Sequence, residues 1–500
     1  MFATLLDPAA FSSEPESNAA IHFVECPELT TAGAESQKRL ADRLTALAGG
    51  HRALLPVGGN LVGMTRDEWL EIPAESLVIN PIRDPESWRA AATWPGDRGL
   101  ILALVPAPGD EAAEPVEILL WAVRYAASLG GRGLDRVGVT DASPLSRARV
   151  AIDDRNLRGL SDTMGFTYRN PSRSTEPNTA VEGARSIIVA ARSYHSEQPE
   201  HPGGMVARVA RYAQDDHYTP LRQALQQVAL RLRADGYRAV VFADENNVVD
   251  REVAYRAGLG WFGKNANILL PGAGSFFSLG SVVTTAVLAP AAQPAPDGCG
   301  TCRACYDECP TQAIVADGVI DARRCLAWLV QKPGVFPREF RVALGDRLYG
   351  CDDCQTSCPP TVRLHDRHHS RTAPVAGPGA YVDVIDVLTM SNEGLLDKFG
   401  SWYLAERDPR WLRRNALIIL GNIAPLNDAQ SEDISLMSPV EKVLRYYLGD
   451  IDPVLRLHAL WAAVRLGRRD LVESLSVDTD ESVRDEYSQI DSIPVRTGAS

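Results

Sequence analysis

Between residues 117 and 295, short apolar runs alternate with longer stretches whose apolar positions recur at helical spacing. The first kind reads as strand and the second as helix. The pattern therefore predicts helices over EILLWAVRYAASLGG and LRQALQQVALRLRADG and strands at RVGVTD, ARSIIVAARSY and RAVVFAD. Such alternation makes a sheet covered by helices. The run REVAYRAGLGWFGKNANILLPGAGSFFSLGSVVTTAVL uses its glycines to close a helix and turn a hairpin, and Pro290 to Pro296 form a linker.

Different rhythms flank this region. In residues 1–116, ALLPVGG and GLILALVPAP read as strands and KRLADRLTALAGG as a helix closed by glycine, which predicts a small α/β unit. Beyond Cys358 the pattern turns helical, and DPRWLRRNALIILGN from Asp408 is echoed 44 residues later by DPVLRLHALWAAVRLG from Asp452. That period matches HEAT-like helical repeats. DESVRDEY from Asp480 reads as a third, partial repeat, and residues 489–500 read as a disordered tail. The predicted divisions are thus 1–116, 117–295, a cysteine-rich segment at 296–362, helical repeats at 363–488, and the tail.

A chain of 500 residues is too long for one core, and several domains are expected. Residues 1–116 hold 17 Asp and Glu against 8 Lys and Arg, so this extension supplies most of the net charge of -13 and stands apart as an acidic unit without a catalytic motif. That charge excludes a generally basic, nucleic-acid-coating surface while leaving room for local basic patches. The opening MFATLLDPAAF has no charged start or long apolar run, and no later segment approaches the length of a membrane span, so a cytoplasmic location is expected.

Cysteine usage changes the picture most. Eight of nine cysteines lie between Cys299 and Cys358, with only Cys26 elsewhere, which is a pattern of metal ligation in a reducing compartment rather than of a disulfide framework. Cys299, Cys302, Cys305 and Cys309 followed by Pro310 form the C-x2-C-x2-C-x3-C-P run of bacterial ferredoxins. Cys351, Cys354 and Cys358 with Pro359, preceded by Cys325, supply four more thiols. By the ferredoxin crossover, Cys299, Cys302 and Cys305 join Cys358 on one [4Fe-4S] cluster, and Cys325, Cys351 and Cys354 join Cys309 on the other. Two structural zinc sites would also use four thiolates each, but zinc ribbons present separated C-x2-C knuckles and need no trailing Cys-Pro pairs.

Two clusters alone describe an electron shuttle, and this chain carries several hundred further residues. Asp244 ends the strand AVVFAD, where side chains of α/β sheets face a ligand crevice, and an acid there can supply protons to match electrons from the metal centres. The alternative for Asp244 is a cap on the next turn.

The chain resembles the epoxyqueuosine reductases, cobalamin-dependent iron-sulfur enzymes of tRNA queuosine synthesis that are related to the reductive dehalogenases. The resemblance spans about residues 117–465 and rests on VGVTD, GARSIIVAARSY, RYAQDDHY, the strand ending in Asp244, AGLGWFGKNANIL, GSFFSLG, both cysteine groups, YGCDDCQ and WLRRNALIILGN. It implies an α/β cobalamin-binding domain, a ferredoxin-like two-cluster insert and a C-terminal HEAT-like part. It further implies that Asp244 donates a proton as the epoxide opens, and that Arg211, Tyr212, His217, Lys264, Asn265 and Ala266 border cobalamin, with Cys351 and Asp352 close to it from the cluster side. Electrons from flavodoxin or ferredoxin would pass through the clusters to cobalamin.

A tRNA substrate calls for basic and stacking groups, and Arg338, Arg341, Arg347, the run RLHDRHHSR, Arg410, Arg413 and Arg414 are the candidates. There are two departures. The family carries Ser-Ala-Pro after the aspartate, whereas this chain reads DENNVVDRE, and the acidic extension has no counterpart in the family. Two other readings follow: a paralogous cobalamin and iron-sulfur reductase of a small molecule, or a ferredoxin-type electron-transfer protein with a HEAT-like docking module. Cobalamin content separates the last from both enzymes, and nucleoside analysis of tRNA separates the enzymes from each other.

Overall fold

The computed structural model describes residues 21–26, 29, 34–45, 51–56, 64–79, 94, 99–102, 134–196, 198–291, 293–365, 377–426 and 437–496. The expected helix over EILLWAVRYAASLGG, the expected boundary at residue 116 and the DRHHSR part of the basic run lie outside these residues. The chain forms two compact units, residues 1–138 with 224–239, and residues 139–223 with 240–500.

In the first unit, β1 (Ile21–Cys26), β2 (His51–Pro56), β3 (Ser76–Ile79) and β4 (Gly99–Leu102) form a sheet in that order, each strand parallel to the next. Parallel neighbours need a crossover connection. The helix Ala34–Thr45, between β1 and β2, buries Leu40 and Leu44, one turn apart on one face. They join Cys26, Leu54, Leu77 and Trp69 in one core, where Trp69 meets Trp94 edge-on at 5.0 Å. The ninth cysteine is therefore a packing residue.

The second unit is built on a four-stranded sheet of β5 (Arg136–Asp141), β6 (Ser186–Ser193), β11 (Phe277–Thr284) and β8 (Ala239–Ala243), in the order β5-β6-β11-β8. Ile187 to Ala191 of β6 are completely buried, the mark of a strand covered on both faces. β6 and β11 run antiparallel over eight residue pairs, from Phe277 with Ser193 to Thr284 with Ser186. A separate sheet joins β7 (Val206–Val209), β14 (Arg347–Tyr349) and β15 (Tyr381–Asp383) in the order β14-β7-β15. Two hairpins, β9 (Trp261–Phe262) with β10 (Ile268–Leu269) and β12 (Ile314–Ala316) with β13 (Val319–Ile320), complete the strands.

The C-terminal part contains the helices Arg410–Ile423, Pro439–Leu448, Pro453–Arg465 and Glu481–Ser488. Aspartate caps explain two of these starts: Asp452 accepts the Val454 amide at 2.8 Å with Pro453 in the first turn, and Asp480 accepts the Ser482 amide at 2.9 Å. The two echoed helices touch closely, since a Cβ added at Gly421 would come within 2.9 Å of the Trp461 ring and 3.0 Å of Ala462 Cα. Their core is continuous with that of β7, the Leu326–Leu329 helix and β14. The tail differs from expectation up to Arg496: Ile493 is buried, and the Arg496 amide donates to Arg465 O at 2.9 Å. Two carbonyl contacts of Arg496 and the apolar Ile493 hold this stretch against the last helices.

Candidate active site

Asp244 leaves β8 with φ +58°, a left-handed conformation that Asp tolerates better than most residues. The loop around it is tied on both sides. Arg222 donates to Ala243 O at 2.5 Å and pairs with Glu245 at 3.7 Å, Arg173 donates to Asn247 Oδ1 at 3.1 Å, and Ser174 donates to Asn246 O at 2.7 Å. Glu245, Asn246 and Asn247 are thus engaged in fastening the loop. Asp244 itself stays exposed as a residue, yet crowding by protein raises its carboxyl above the ordinary range; Arg222 opposes and Glu245 adds to that shift.

The helix Asp250–Arg256 follows this loop. It is pinned by Glu252, which is buried against Arg147, and by Arg256, which pairs with Asp141 at 2.7 Å. Arg147 lies 4.3 Å over both the Tyr255 and Phe262 rings, which fixes the helix against β9. Asp250 and Arg251 begin this helix, and Arg251 reaches Ala266 O at 3.1 Å. Neither was singled out from sequence.

On the other side, the short turn Arg211–Ala213 follows β7. The Arg211 amide donates to Asp352 Oδ2 at 2.7 Å, its guanidinium sits 4.9 Å over Phe276, and Nε donates to Ser196 O at 3.2 Å. His217 approaches Arg211 O at 3.3 Å and lies 5.3 Å from the tilted Tyr194 ring, and burial holds its ring toward the neutral form. Tyr212 accepts from Gln331 at 3.3 Å. Its ring also presses on Gly350, where an added Cβ would lie 2.7 Å from Tyr212 and 2.5 Å from Ala210. With φ +74°, Gly350 is a position that only glycine fills without strain. It sets Cys351 beside this turn.

Burial raises the phenols of Tyr194, Tyr212, Tyr218 and Tyr349, and the acids that add to each shift trace one space. Asp352 acts on Tyr194 and Tyr212, Asp244 and Asp250 act on Tyr218, and Asp244 acts on Tyr349. Burial likewise raises Asp352. Asp244 and Asp352, remote in sequence, therefore lie around one group of neighbouring tyrosines. Asn265 and Ala266 join it from the turn after β9: Asn265 is buried and donates to Cys354 O at 2.9 Å, and Ala266 has φ +61°. Lys264 instead turns to Asp317 at 3.7 Å, beside the first cysteine group.

The eight thiols sort into two neighbourhoods. Burial raises several of them, and the neighbouring thiols that add to the shift are Cys299 and Cys302 for Cys305, and Cys299, Cys305 and Cys302 for Cys358. For Cys325 the neighbour is Cys309, for Cys351 it is Cys325, and for Cys354 they are Cys351, Cys325, Cys309 and, last, Cys305. Donors point at the sulfurs as well: Ala313 N to Cys309 at 3.2 Å and Trp261 Nε1 to Cys299 at 3.4 Å. Such donors stabilise thiolates on a cluster. Among the described residues no three His, Cys, Asp or Glu converge tightly enough for a single ion, and a cubane, which spreads its thiolates over its own corners, does not require them to.

The arginines proposed for tRNA are mostly spent inside the protein. Arg341 is buried and pairs with Glu486 at 2.9 Å, Arg338 pairs with Glu486 at 2.8 Å, and Arg347 pairs with Asp353 at 2.6 Å. Arg414 is buried as well, donating to the carbonyls of Leu329, Val330, Lys332 and Gly334. Arg413 donates to Met390 O at 2.7 Å, and Arg410 joins Asp408 and Asp452. Arg341 and Arg414 are therefore structural, because buried carbonyls and a buried carboxylate need their donors. A cleft of about 390 Å³ lined by His201, Asp346, Asn422 and Arg465 contains none of the predicted site residues.

Comparison with known proteins agrees with this arrangement. Residues 298–361 match the family described as 4Fe-4S double cluster binding domain, and residues 175–245 match Epoxyqueuosine reductase QueG, DUF1730. The epoxyqueuosine reductase of Bacillus anthracis is 32% identical over 371 residues, covering 71% of this chain and 93% of that one. That of Bacillus subtilis is 30% identical over 380 residues, covering 72% and 92%. A solved structure of the Bacillus subtilis enzyme, with its catalytic aspartate loop swung out of the active site, superposes with a TM-score of 0.65 at 27% identity, covering 76% of this chain and all of that one. An epoxyqueuosine reductase solved with a tRNA-Tyr epoxyqueuosine-modified stem loop gives 0.64 at 27% identity, over 76% and 99%. About a quarter of this chain is not covered by those structures. This chain belongs to the epoxyqueuosine reductase family.

Proposed function

We propose that the protein reduces epoxyqueuosine to queuosine in a tRNA anticodon loop, with Asp244 as the proton donor. The observation that carries this reading is the group of neighbouring tyrosines, with Asp244 close to Tyr218 and Tyr349 and with Asp352, next to Cys351, close to Tyr194 and Tyr212. Cys299, Cys302, Cys305 and Cys358 would hold one [4Fe-4S] cluster, and Cys309, Cys325, Cys351 and Cys354 the other. Arg211, Tyr212, His217, Asn265 and Ala266 would border cobalamin. Buried polar atoms without a protein partner, Arg192 Nε and Gln198 Nε2, lie on the chain near His217 and Arg211 and suit a ligand rich in amides. Bound there, the clusters would relay single electrons and cobalamin would supply a strongly reducing cobalt.

The residues then have distinct tasks. Asp244 gives a proton to the opening epoxide oxygen, the neutral His217 and the buried tyrosines keep water out, and Asp352 holds the Arg211 turn in place. Cys302, the exposed thiol of its set, marks where a flavodoxin or ferredoxin would approach. The helices from Arg410 to Ser488 are read as HEAT-like support. Iron, sulfide and cobalamin contents of anaerobically purified protein, followed by turnover on epoxyqueuosine-containing tRNA, test the whole reading. Zinc in place of iron, or a fully loaded protein without turnover, would overturn it.

With the buried arginines excluded, stacking carries more of the tRNA recognition. Phe166 and Tyr403 are both exposed, with ring centroids 5.2 Å apart, and Tyr403 O accepts the Tyr349 hydroxyl at 3.1 Å. Tyr349 lies within electrostatic reach of Asp244. Splayed anticodon-loop bases stack on such faces. Replacing both rings by alanine is expected to weaken stem-loop binding by about 1–3 kcal/mol per stacked base. A binding titration at fixed salt checks it, and unchanged affinity removes these rings from the interface.

A further inference from the structure

Removing an epoxide oxygen as water takes two electrons and two protons: both C–O bonds break, the oxygen leaves as water, and the two carbons become doubly bonded. The electrons come from the outside donor. Asp244 holds one proton at a time, so a second must reach the site within the same turnover. We propose that Asp250 is a positioning residue that hands protons to Asp244, the two carboxyls acting in series on one substrate. The inference rests on the epoxyqueuosine reading above.

The geometry is specific. Asp250 opens the helix that Arg147 and Arg256 pin, six residues after Asp244 across the fastened loop. Its Oδ1 is sealed from solvent and makes no hydrogen bond with the protein. The charged and titratable groups that bear on it are Asp244 and Glu245 from the loop after β8, Arg251 from its own helix, and the Tyr218 phenol from the helix Tyr218–Ala234. Burial first, then the Asp244 charge, pushes Asp250 up to about 8, with Arg251 opposing and Glu245 adding. The two carboxylates repel one another, and Asp250, whose Oδ1 is sealed from solvent, keeps its proton to the higher pH. Asp244 therefore ionises first, and its charge retains the proton on Asp250. At neutral pH Asp250 is the loaded member of the pair, and the carboxylate left after Asp244 has protonated the substrate is the acceptor.

The test uses the cofactor-loaded protein and the variants Asp250→Asn, Asp250→Glu and Asp244→Asn. Wild-type turnover on epoxyqueuosine tRNA should fall as pH rises through about 8, where Asp250 loses its proton. Asp250→Asn should cost roughly 10- to 100-fold near neutral pH and shift that alkaline limb downward, and Asp250→Glu should restore most of the rate. Infrared difference spectra should show a buried protonated carboxyl that titrates near 8 in wild type, titrates at lower pH in Asp244→Asn, where the neighbouring charge is gone, and is missing in Asp250→Asn. A band that survives Asp250→Asn, no such band in wild type, or a wild-type rate and pH profile in Asp250→Asn would each overturn the proposal. Absence of wild-type turnover would instead defeat the substrate assignment, and the infrared titration would still decide the protonation of Asp250.

Discussion

Asp244→Asn is expected to lower turnover of epoxyqueuosine tRNA by about 100- to 10,000-fold, the usual contribution of a positioned general acid. Iron, sulfide and cobalamin contents should stay at wild-type levels. Asparagine is the cleaner replacement than alanine. At φ +58° most side chains cost roughly 1–2 kcal/mol, whereas Asn shares the tolerance of Asp for this region. The substitution therefore removes the acidic proton and leaves the loop held by Arg173, Ser174 and Arg222. A single-turnover rate equal to wild type would mean that the proton comes from another group. Because crowding raises the Asp244 carboxyl, its acid form persists to a higher pH than a free aspartate, and the step it serves weakens as pH rises past its titration.

The largest effect on stability is expected at Glu486, far from the chemistry. Its carboxylate is buried and receives Arg341 at 2.9 Å and Arg338 at 2.8 Å, while Arg341 is itself buried. Glu486→Ala leaves the Arg341 charge in the interior without its carboxylate, and removing one member of such a pair costs about 3–5 kcal/mol. The urea midpoint of the anaerobic, cofactor-loaded protein should drop accordingly. A change within about 0.5 kcal/mol, the scale of an ordinary surface substitution, would show that water reaches Arg341 and the pair is not sealed.

The same residues show where sequence reasoning succeeds and where it stops. β6 was legible because a strand covered on both faces must be an unbroken apolar run, and SIIVAA is one. The helix after Asp452 was legible because an Asp cap and a first-turn proline are local chemistry. The double-cluster segment was legible because its cysteine spacing is local in sequence. Arg341 and Arg414 were misread as RNA contacts because their partners are Glu486, more than a hundred residues away, and main-chain carbonyls that the sequence does not mark. Asp250, Arg251 and Tyr194 escaped for a related reason: the group of tyrosines forms only when the loops after β6, β7 and β8 are brought together. β14 and β15, three residues each, are too short to carry a period.

Arg414 and its neighbour Asn415 bind the carbonyls of Leu329, Val330, Lys332, Gly334 and Leu348, all in the stretch between Cys325 and Cys351. During synthesis every cysteine leaves the ribosome before Arg414 does. The nascent chain thus displays all eight thiols while the segment linking Cys325 to Cys351 still lacks its clasp. Loading of the second cluster is best timed after the helix Arg410–Ile423 has emerged, and a protein stopped short of that helix would carry every ligand yet leave the carbonyls between them without donors.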